Sequence, residues 1–561
     1  MDDGPGVGAI QGAPQHLLAH ARANAHRPFL ILRRGALWWQ FSYGDAVDET
    51  RRWAWILAAA GVGPGDHVVI ALTHRHELYF AFLGALWAGA VPTIIPCPNP
   101  RQEPGFFWQE YAALLVDLGP RAVVTQGDNV TPLRQAAGDA AGFVIDVDNL
   151  EDRADAPAGD PVAVAEDGLP FLQFSSGTTG RRKGIVLTNR AVDHHMCAYA
   201  DLLGMGAGDR VASWLPLYHD MGLVGCLLMP LWRGASIVAL DALEWVAQPW
   251  ILLEAIERFE ATHVWLPNFA FRHIVRTLPD NRLFRLGCVR VFVNSSESCR
   301  PATMAEFAAA LAGHGVRPDQ IRPSYGMAET VLATTQAPPR PEPLAITVDG
   351  AALEGRFRAR IVPATHSRAQ HLASCGPALP GLELRIAPLG RGRAAGDPVG
   401  EIEVRGAHCF AGYFRNPKTT AASLNDGWYR TGDIGFLHAG ELFVCGRRKE
   451  MVIVHGRNFY APDIEAAAAV SGVKPGRVCA FAIEDVQSAS EALVILVETA
   501  ATGARAHATL SRRVKAAIFD RLQVTPHRVV AVAPGRLIKT TSGKLHREEN
   551  RRRYLAGAAA P

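Results

Sequence analysis

The chain has 561 residues, more than one hydrophobic core ordinarily serves, so two or more domains are expected. Hydrophobic residues make up 48% and charged residues 20%, the balance of a soluble globular protein. A formal net charge of +3 over this length gives no case for a nucleic-acid partner, and the run Arg551-Arg552-Arg553 reads as a solvated tail.

The acidic, Gly- and Pro-containing start, Met1-Asp2-Asp3-Gly4-Pro5, lacks the basic-then-apolar profile of a signal peptide. The nine cysteines are scattered and never spaced Cys-x-x-Cys, which fits free thiols in a reducing compartment. A cytoplasmic location is therefore expected. Helical spacing begins at Gln15–Ala25, and Pro28–Leu32 with Leu37–Phe41 reads as a hairpin. Ser42 opens a helix through Ala60, and His67–Leu72 is the next strand. Leu78–Pro96 is almost wholly apolar, but Gly84, Gly89 and Pro92 break it into helix, turn and strand, so no integral membrane contact is expected.

Further apolar strands follow at Ala122–Thr125, Gly142–Asp146, Arg210–Trp214, Ser236–Ala239, Thr262–Leu266 and Val289–Asn294. Helical stretches separate them, which predicts a large α/β body with parallel sheets. Beyond about residue 376 short strands predict a small β-rich unit, and from Gly446 an independent α+β pattern begins. The expected division is a body of residues 1–445 and a smaller, mobile domain of residues 446–561.

The stretch Phe171-Leu172-Gln173-Phe174 ends a strand and runs into Ser175-Ser176-Gly177-Thr178-Thr179-Gly180-Arg181-Arg182-Lys183-Gly184. Glycines let backbone approach an anion, hydroxyls and free N–H groups donate to it, and Lys183 adds charge. A P-loop needs Gly-Lys adjacent before Ser or Thr, and here two arginines intervene. The competing reading is a solvated Gly/Ser/Thr turn. Ten consecutive residues of this kind after a buried strand favour polyphosphate binding. Thr188-Asn189 is placed to cap a helix running through Tyr199.

Five stretches follow in fixed order: Trp214 to Leu223, Pro323 to Thr330, Gly427 to Gly435, Gly446 to Glu450 with Gly456-Arg457-Asn458, and Lys539 to Leu545. Together with the loop, this set resembles the adenylate-forming superfamily of acyl-CoA synthetases, luciferases and peptide-synthetase adenylation domains, over roughly residues 15 to 555. The run Gly456 to Glu465 and an extra segment between Glu329 and Cys375 are most similar to fatty acyl-AMP ligases. The sequence departs from the family at Arg181-Arg182, where a proline is common, and at Asn294-Ser295-Ser296-Glu297-Ser298, where Asn-Gly-Ala-Glu-Pro is usual.

The resemblance implies that a fatty carboxylate attacks the α-phosphorus of ATP, leaving acyl-AMP and pyrophosphate, with Mg²⁺ assisting. Lys544 is implied as the catalytic cation and Glu329 as the Mg²⁺ ligand, with Thr178 or Thr179 helping as oxygen donors. Ser175, Ser176, Gly177, Thr178, Thr179, Gly180 and Lys183 would hold phosphates. Ser296, Tyr325, Gly326 and Met327 would bind the nucleotide, Tyr325 by stacking on adenine, and Asp433 with Arg447 would bind the ribose. His219 would border an acyl tunnel with Trp214, Leu217, Met221 and Leu223, a structural histidine being nearly as good a reading. Lys449 matches the hinge position, where relatives often carry Asp. The acyl group would pass to the phosphopantetheine of an acyl carrier protein acting in trans. A fatty acyl-CoA synthetase and a silent adenylate-binding scaffold are the alternatives. The extra segment argues against the first by hindering rotation of the smaller domain, and Lys544 with Glu329 argues against the second.

Overall fold

The computed structural model describes residues 10–98, 104–150, 159–174, 183–390, 395–454, 457–469, 473, 476–485, 490–540 and 543–557. Its largest sheet has eight strands. Six are parallel and lie side by side in the order Ile321–Gly326, Val291–Ser295, His263–Pro267, Arg210–Ser213, Ser236–Ala239 and Pro28–Arg34. Ala333–Gln336 and Leu37–Ser42 close its two edges antiparallel. Because helices cover both faces, the inner strands are buried on both sides, which is why they read as continuous apolar runs rather than alternating ones. A second, four-stranded parallel sheet joins Val91–Ile94, His67–Ala71, Ala122–Thr125 and Phe143–Asp146.

Local chemistry sets the helix boundaries. Ser42 accepts from the Asp45 amide at 3.1 Å while Asp45 accepts from the Ser42 amide at 2.8 Å, a reciprocal cap that starts Tyr43–Ala59. Thr188 Oγ1 accepts from the Ala191 amide at 3.1 Å and starts Asn189–Leu203. This helix runs one turn past the expected end at Tyr199, because Ala200 and Leu203 continue its buried face until Gly204 takes φ +67°. The apolar stretch near residue 80 is helix His76–Trp87 followed by strand Val91–Ile94. Among the described residues no helix is long and apolar enough to cross a membrane. All nine cysteines are free.

The β-rich unit is a five-stranded antiparallel sheet centred on Trp428–His438, which pairs with Gly400–Gly406, Leu424–Asn425 and Glu441–Arg447. After it come the hairpin Met451–Val454 and Arg457–Tyr460, and a three-stranded sheet of Val478–Asp485, Ser490–Glu498 and Arg528–Val532. Helices Ala461–Ala468 and Ala504–Leu522 bury Ile464, Ala467, Val514 and Ile518 against these strands in a core of their own.

The extra segment lies between the β-rich unit and this C-terminal portion. Strand Ala345–Asp349 pairs with Ala369–Ala373, and helix Gly350–Arg356 follows the first strand. Val348 and Leu353 share one apolar cluster with Phe436, Phe443 and Tyr460. Polar contacts flank it: Asn458 Nδ2 donates to the Glu354 carbonyl at 2.7 Å, Arg457 pairs with Glu354 at 3.0 Å, and Gln370 Nε2 donates to Asp463 Oδ2 at 3.4 Å. Arg300 lies 3.8 Å from Asp463.

Burial raises the Asp463 carboxyl to about 6; Arg300 opposes the rise and Glu354 adds to it. An exposed aspartate titrates near about 4, so the docked arrangement holds a proton that the separated one releases. Docking therefore strengthens as pH falls through about 6 and weakens as it rises. Amide exchange at Arg457–Tyr460, corrected for the intrinsic chemical rate, is expected to be slower at pH 5 than at pH 7, and Asp463→Asn should abolish that difference. Equal protection at the two pH values in the unaltered protein would contradict the assignment.

Candidate functional site

Neighbouring strands of the large sheet end at the same edge and bring several expected residues together. Tyr325 stands near the end of Ile321–Gly326, and Ser296 follows Val291–Ser295 directly. Tyr325 is 9% exposed, and its hydroxyl donates to Asp433 Oδ2 at 2.8 Å. Burial and the Asp433 carboxylate both raise the phenol, so it stays a donor. Asp433 lies opposite Arg447 in the antiparallel pair, with Arg447 Nε 3.1 Å from Oδ1. The Asp433 amide donates to Thr431 Oγ1 at 3.0 Å, which fixes the carboxylate in a local turn. A buried aspartate beside a guanidinium and a phenol is a ready acceptor for paired hydroxyls.

Gly326 is required sterically. A Cβ there would lie 1.9 Å from the Leu332 carbonyl, because the Met327 amide donates back to that same carbonyl at 2.7 Å. The resulting tight turn presents Glu329 from the short helix Ala328–Thr330. Its Oε1 accepts from the Tyr413 hydroxyl at 2.9 Å. Lys183 Nζ sits 4.6 Å from the centroid of the same Tyr413 ring. Burial and Lys449 lower the Lys183 ammonium, while Glu329 counters them. The expected phosphate-loop residues Ser175, Ser176, Gly177, Thr178, Thr179 and Gly180 lie outside the described residues.

Lys544 comes from the C-terminal portion. The Thr540 amide donates to its carbonyl at 2.7 Å, the Lys544 amide returns to Thr540 Oγ1 at 3.2 Å, and Gly543 takes φ +80° to close the turn. Its Nζ donates to the Ser296 carbonyl at 2.8 Å, 248 positions away in the sequence. Ser296 holds φ +74°, an uncommon conformation for a residue with a side chain, and it lies between Ser295 and Glu297 in the loop that meets Lys544. Burial and Arg447 lower the Lys544 ammonium; Glu297, Asp220 and Glu450 raise it. Burial in turn raises the carboxyls of Asp220 and Glu297, and Lys544 counters both.

His219 lies in the turn ahead of the π-helix Met221–Leu228, its amide 3.2 Å from the Pro216 carbonyl and its ring 4.8 Å from that of Tyr218. Gly222 permits this turn, since a Cβ would meet the Pro216 carbonyl at 2.2 Å. Trp214, expected beside His219, stacks face to face on Trp245 at 3.7 Å, with Phe269 6.1 Å away. Lys449 lies in the single turn Arg448–Glu450 that links the last strand of the β-rich unit to Met451–Val454.

Sequence reasoning missed Asp220, Glu297, Glu450 and Tyr413. Asp220 and Glu297 are inside stretches already singled out, and their acidity beside a lysine-directed cleft was the available signal. Tyr413 has no such local signal. Among the described residues no three His, Cys, Asp or Glu side chains converge on a metal site. Glu329 nevertheless suits Mg²⁺: a hard cation takes one carboxylate and completes its shell with phosphate oxygens and water, and Oε2 is left over from the Tyr413 bond.

If Lys544 has its expected role, its removal takes away a preorganised cation aimed at developing charge, an effect of about 10²–10³ in rate. Lys544→Ala is expected to reduce ATP–pyrophosphate exchange by that factor with ATP affinity nearly unchanged. Asp433→Ala should do the converse, weakening ATP binding about tenfold by leaving Tyr325 and Arg447 without their acceptor. Calorimetric ATP titration alongside exchange kinetics checks both, and a reversed pattern would overturn the two assignments.

Comparison with known proteins bears on the same cleft. The AMP-binding enzyme family matches residues 17–414. The chain is 32% identical over 546 residues to the long-chain-fatty-acid–AMP ligase FadD26 of Mycobacterium marinum, covering 90% of this chain and 91% of that one. It is 28% identical over 539 residues to the medium-chain-fatty-acid acyl-carrier-protein ligase JamA of Moorena producens, covering 91% and 89%. A solved structure from work on fatty acyl-adenylate ligases of E. coli and L. pneumophila superposes with a TM-score of 0.88 at 26% identity, over 98% of each chain. With its large α/β body and smaller C-terminal portion, the chain belongs to the AMP-binding enzyme family and is an adenylate-forming ligase.

Proposed function

We propose that this ligase activates a fatty acid with ATP and Mg²⁺ and hands the acyl group to the phosphopantetheine thiol of an acyl carrier protein. A carboxylate oxygen attacks the α-phosphorus, the bond to the bridging oxygen of pyrophosphate breaks, and acyl-AMP remains. In the second step the thiol sulfur attacks the acyl carbonyl, the carbonyl–oxygen bond to AMP breaks, and the thiol proton is released. Mg²⁺, when bound, neutralises phosphate charge. Glu329 would hold it, with Thr178 contributing oxygen.

The chain's own residues divide the remaining tasks. Lys544 approaches the α-phosphate and the carboxylate, while Asp220 and Glu297 hold that ammonium charged before substrate arrives. Asp433 and Arg447 bind ribose, Tyr325 with Gly326 and Met327 walls the adenine side, and Lys183 with the Ser175–Gly180 stretch meets the phosphates. His219 and the Trp214 wall border the acyl chain. The division falls at residue 446: residues 1–445 bind nucleotide and acid, and residues 446–561 form a lid that pivots at Lys449. The free cysteines accord with the cytoplasm.

One observation carries this reading: Lys544 of the lid donates to Ser296 of the body at 2.8 Å, in the cleft that Asp433, Arg447 and Glu329 also face. The strap from the extra segment supports a carrier-borne acceptor over free coenzyme A, since Glu354 and Leu353 tie the lid in this pose. The fatty-acid and carrier-protein ligase relatives agree in substrate class.

Hydroxylamine trapping of adenylates across a fatty-acid length series should give ATP-dependent hydroxamate with a maximum at one chain length. Thioester formation on a holo carrier protein should exceed that on coenzyme A at equal thiol concentration. Absence of hydroxamate with every fatty acid would reject the substrate class, and efficient coenzyme A ligation would reject the carrier.

A further inference from the structure

One side chain touches two of the phosphate-facing groups that come from distant parts of the sequence. The Tyr413 hydroxyl donates to Glu329 Oε1 at 2.9 Å, and its ring lies under Lys183 Nζ at 4.6 Å. The ring cannot swing freely. Tyr413 is 7% exposed, Phe410 packs against it at 4.9 Å, and the Tyr429 hydroxyl lies 3.3 Å from its own.

The backbone supports the same arrangement. Gly412–Tyr413 pairs antiparallel with Gly184–Val186, the strand that begins immediately after Lys183. The Ala411 amide donates to the Val186 carbonyl and the Phe414 amide to the Gly184 carbonyl, each at 2.8 Å. On the other side the Phe410 amide donates to the Glu329 carbonyl at 2.8 Å. The segment from Phe410 to Phe414 is thus fastened both to the strand leaving the phosphate loop and to the turn carrying the acid. Gly412, at φ +149° with Thr420 Cγ2 2.8 Å from where a Cβ would stand, lets it pass between them.

The chemistry of the phenol suits this position. Its hydroxyl donates to the carboxylate, which has no proton donor of its own when ionised. Donation to Oε1 fixes the plane of the carboxylate and leaves Oε2 for a cation, and the ring face attracts the Lys183 ammonium without neutralising it. Loss of the hydroxyl should release Glu329 and the Tyr429 contact while leaving Lys183 on the ring; loss of the ring should disturb Lys183 as well.

We propose that Tyr413 is a positioning residue that aims Glu329 at Mg²⁺ and Lys183 at the polyphosphate together. This rests on the adenylating reading of the cleft, but not on which acid or acceptor is used. The test is calorimetric titration of the full-length protein with ATP, without any acid, in Mg²⁺ and in EDTA. For Tyr413→Phe, the gain in ATP affinity conferred by Mg²⁺ should fall about tenfold, the usual loss on removing a partner of a metal ligand, while affinity in EDTA stays at the wild-type value. Tyr413→Leu should also weaken binding in EDTA, by about threefold to tenfold, as Lys183 loses its platform. An unchanged Mg²⁺ gain in Tyr413→Phe, or equal losses with and without Mg²⁺, would overturn the proposal, the second result marking a purely structural role. Because no turnover enters this titration, a wrong acyl substrate would leave its expected result standing.

Discussion

Everything in the cleft depends on how one ammonium group is held among the charges around it. Lys544 reaches the Ser296 carbonyl and sits near Arg447, which disfavours its charge, as does burial. Asp220, Glu297 and Glu450 offset that penalty. The cleft thus sets Arg447 beside the Asp433 carboxylate, and Lys183 under the field of Glu329 and Lys449. On the proposed reading, a polyanion entering this site would find donors already oriented, so little reorganisation would remain as charge builds on the α-phosphate.

The body's architecture explains why the ligands converge there. In an open parallel sheet, loops at the carboxyl ends of neighbouring strands open on one crevice. Val291–Ser295 and Ile321–Gly326 are neighbours in that sheet, and they deliver Ser296 and Tyr325 to adjacent places. The β-rich unit contributes Asp433 and Arg447 as opposed residues of one antiparallel pair, so their separation is set by strand spacing and not by side-chain chance. Tyr325 ties the two units together through Asp433. A single buried phenol thereby fixes the end of one sheet against a carboxylate of another.

How much of this was legible in the sequence follows the range of the interaction. The parallel strands were readable because burial on both faces leaves unbroken apolar runs, and helix starts at Ser42 and Thr188 were readable because caps are local. The helix end at Leu203 was missed by a turn, since the residues that extend it are small or apolar and only tertiary contact shows which face they cover. The grouping of Asp433 with Arg447 came from motif order. The hydroxyl link from Tyr325 to Asp433 did not, because it joins residues 108 apart through side-chain geometry. Tyr413 was invisible for the same reason: Gly-Tyr is an ordinary dipeptide until the fold lays it between Lys183 and Glu329. Asp220 and Glu297 were quoted as letters of motifs, yet their relation to Lys544 exists only once the C-terminal portion closes.

The strap formed by the extra segment has a consequence for the order of events on the proposed reading. Its ion pairs are partly solvated and contribute little, about 0–1 kcal/mol each. The apolar cluster contributes more: withdrawing side chains such as Leu353 and Tyr460 into water costs about 1.5–3 kcal/mol apiece. On that reading, a rotation that exposed both side chains would cost about 3 kcal/mol, leaving the rotated pose at about 1% of molecules by itself. A small thiol that binds weakly has no interface with which to offset that penalty. A carrier protein that brings its own contact surface along with the phosphopantetheine arm would have one, so on the proposed reading the strap would favour an acceptor delivered by a protein.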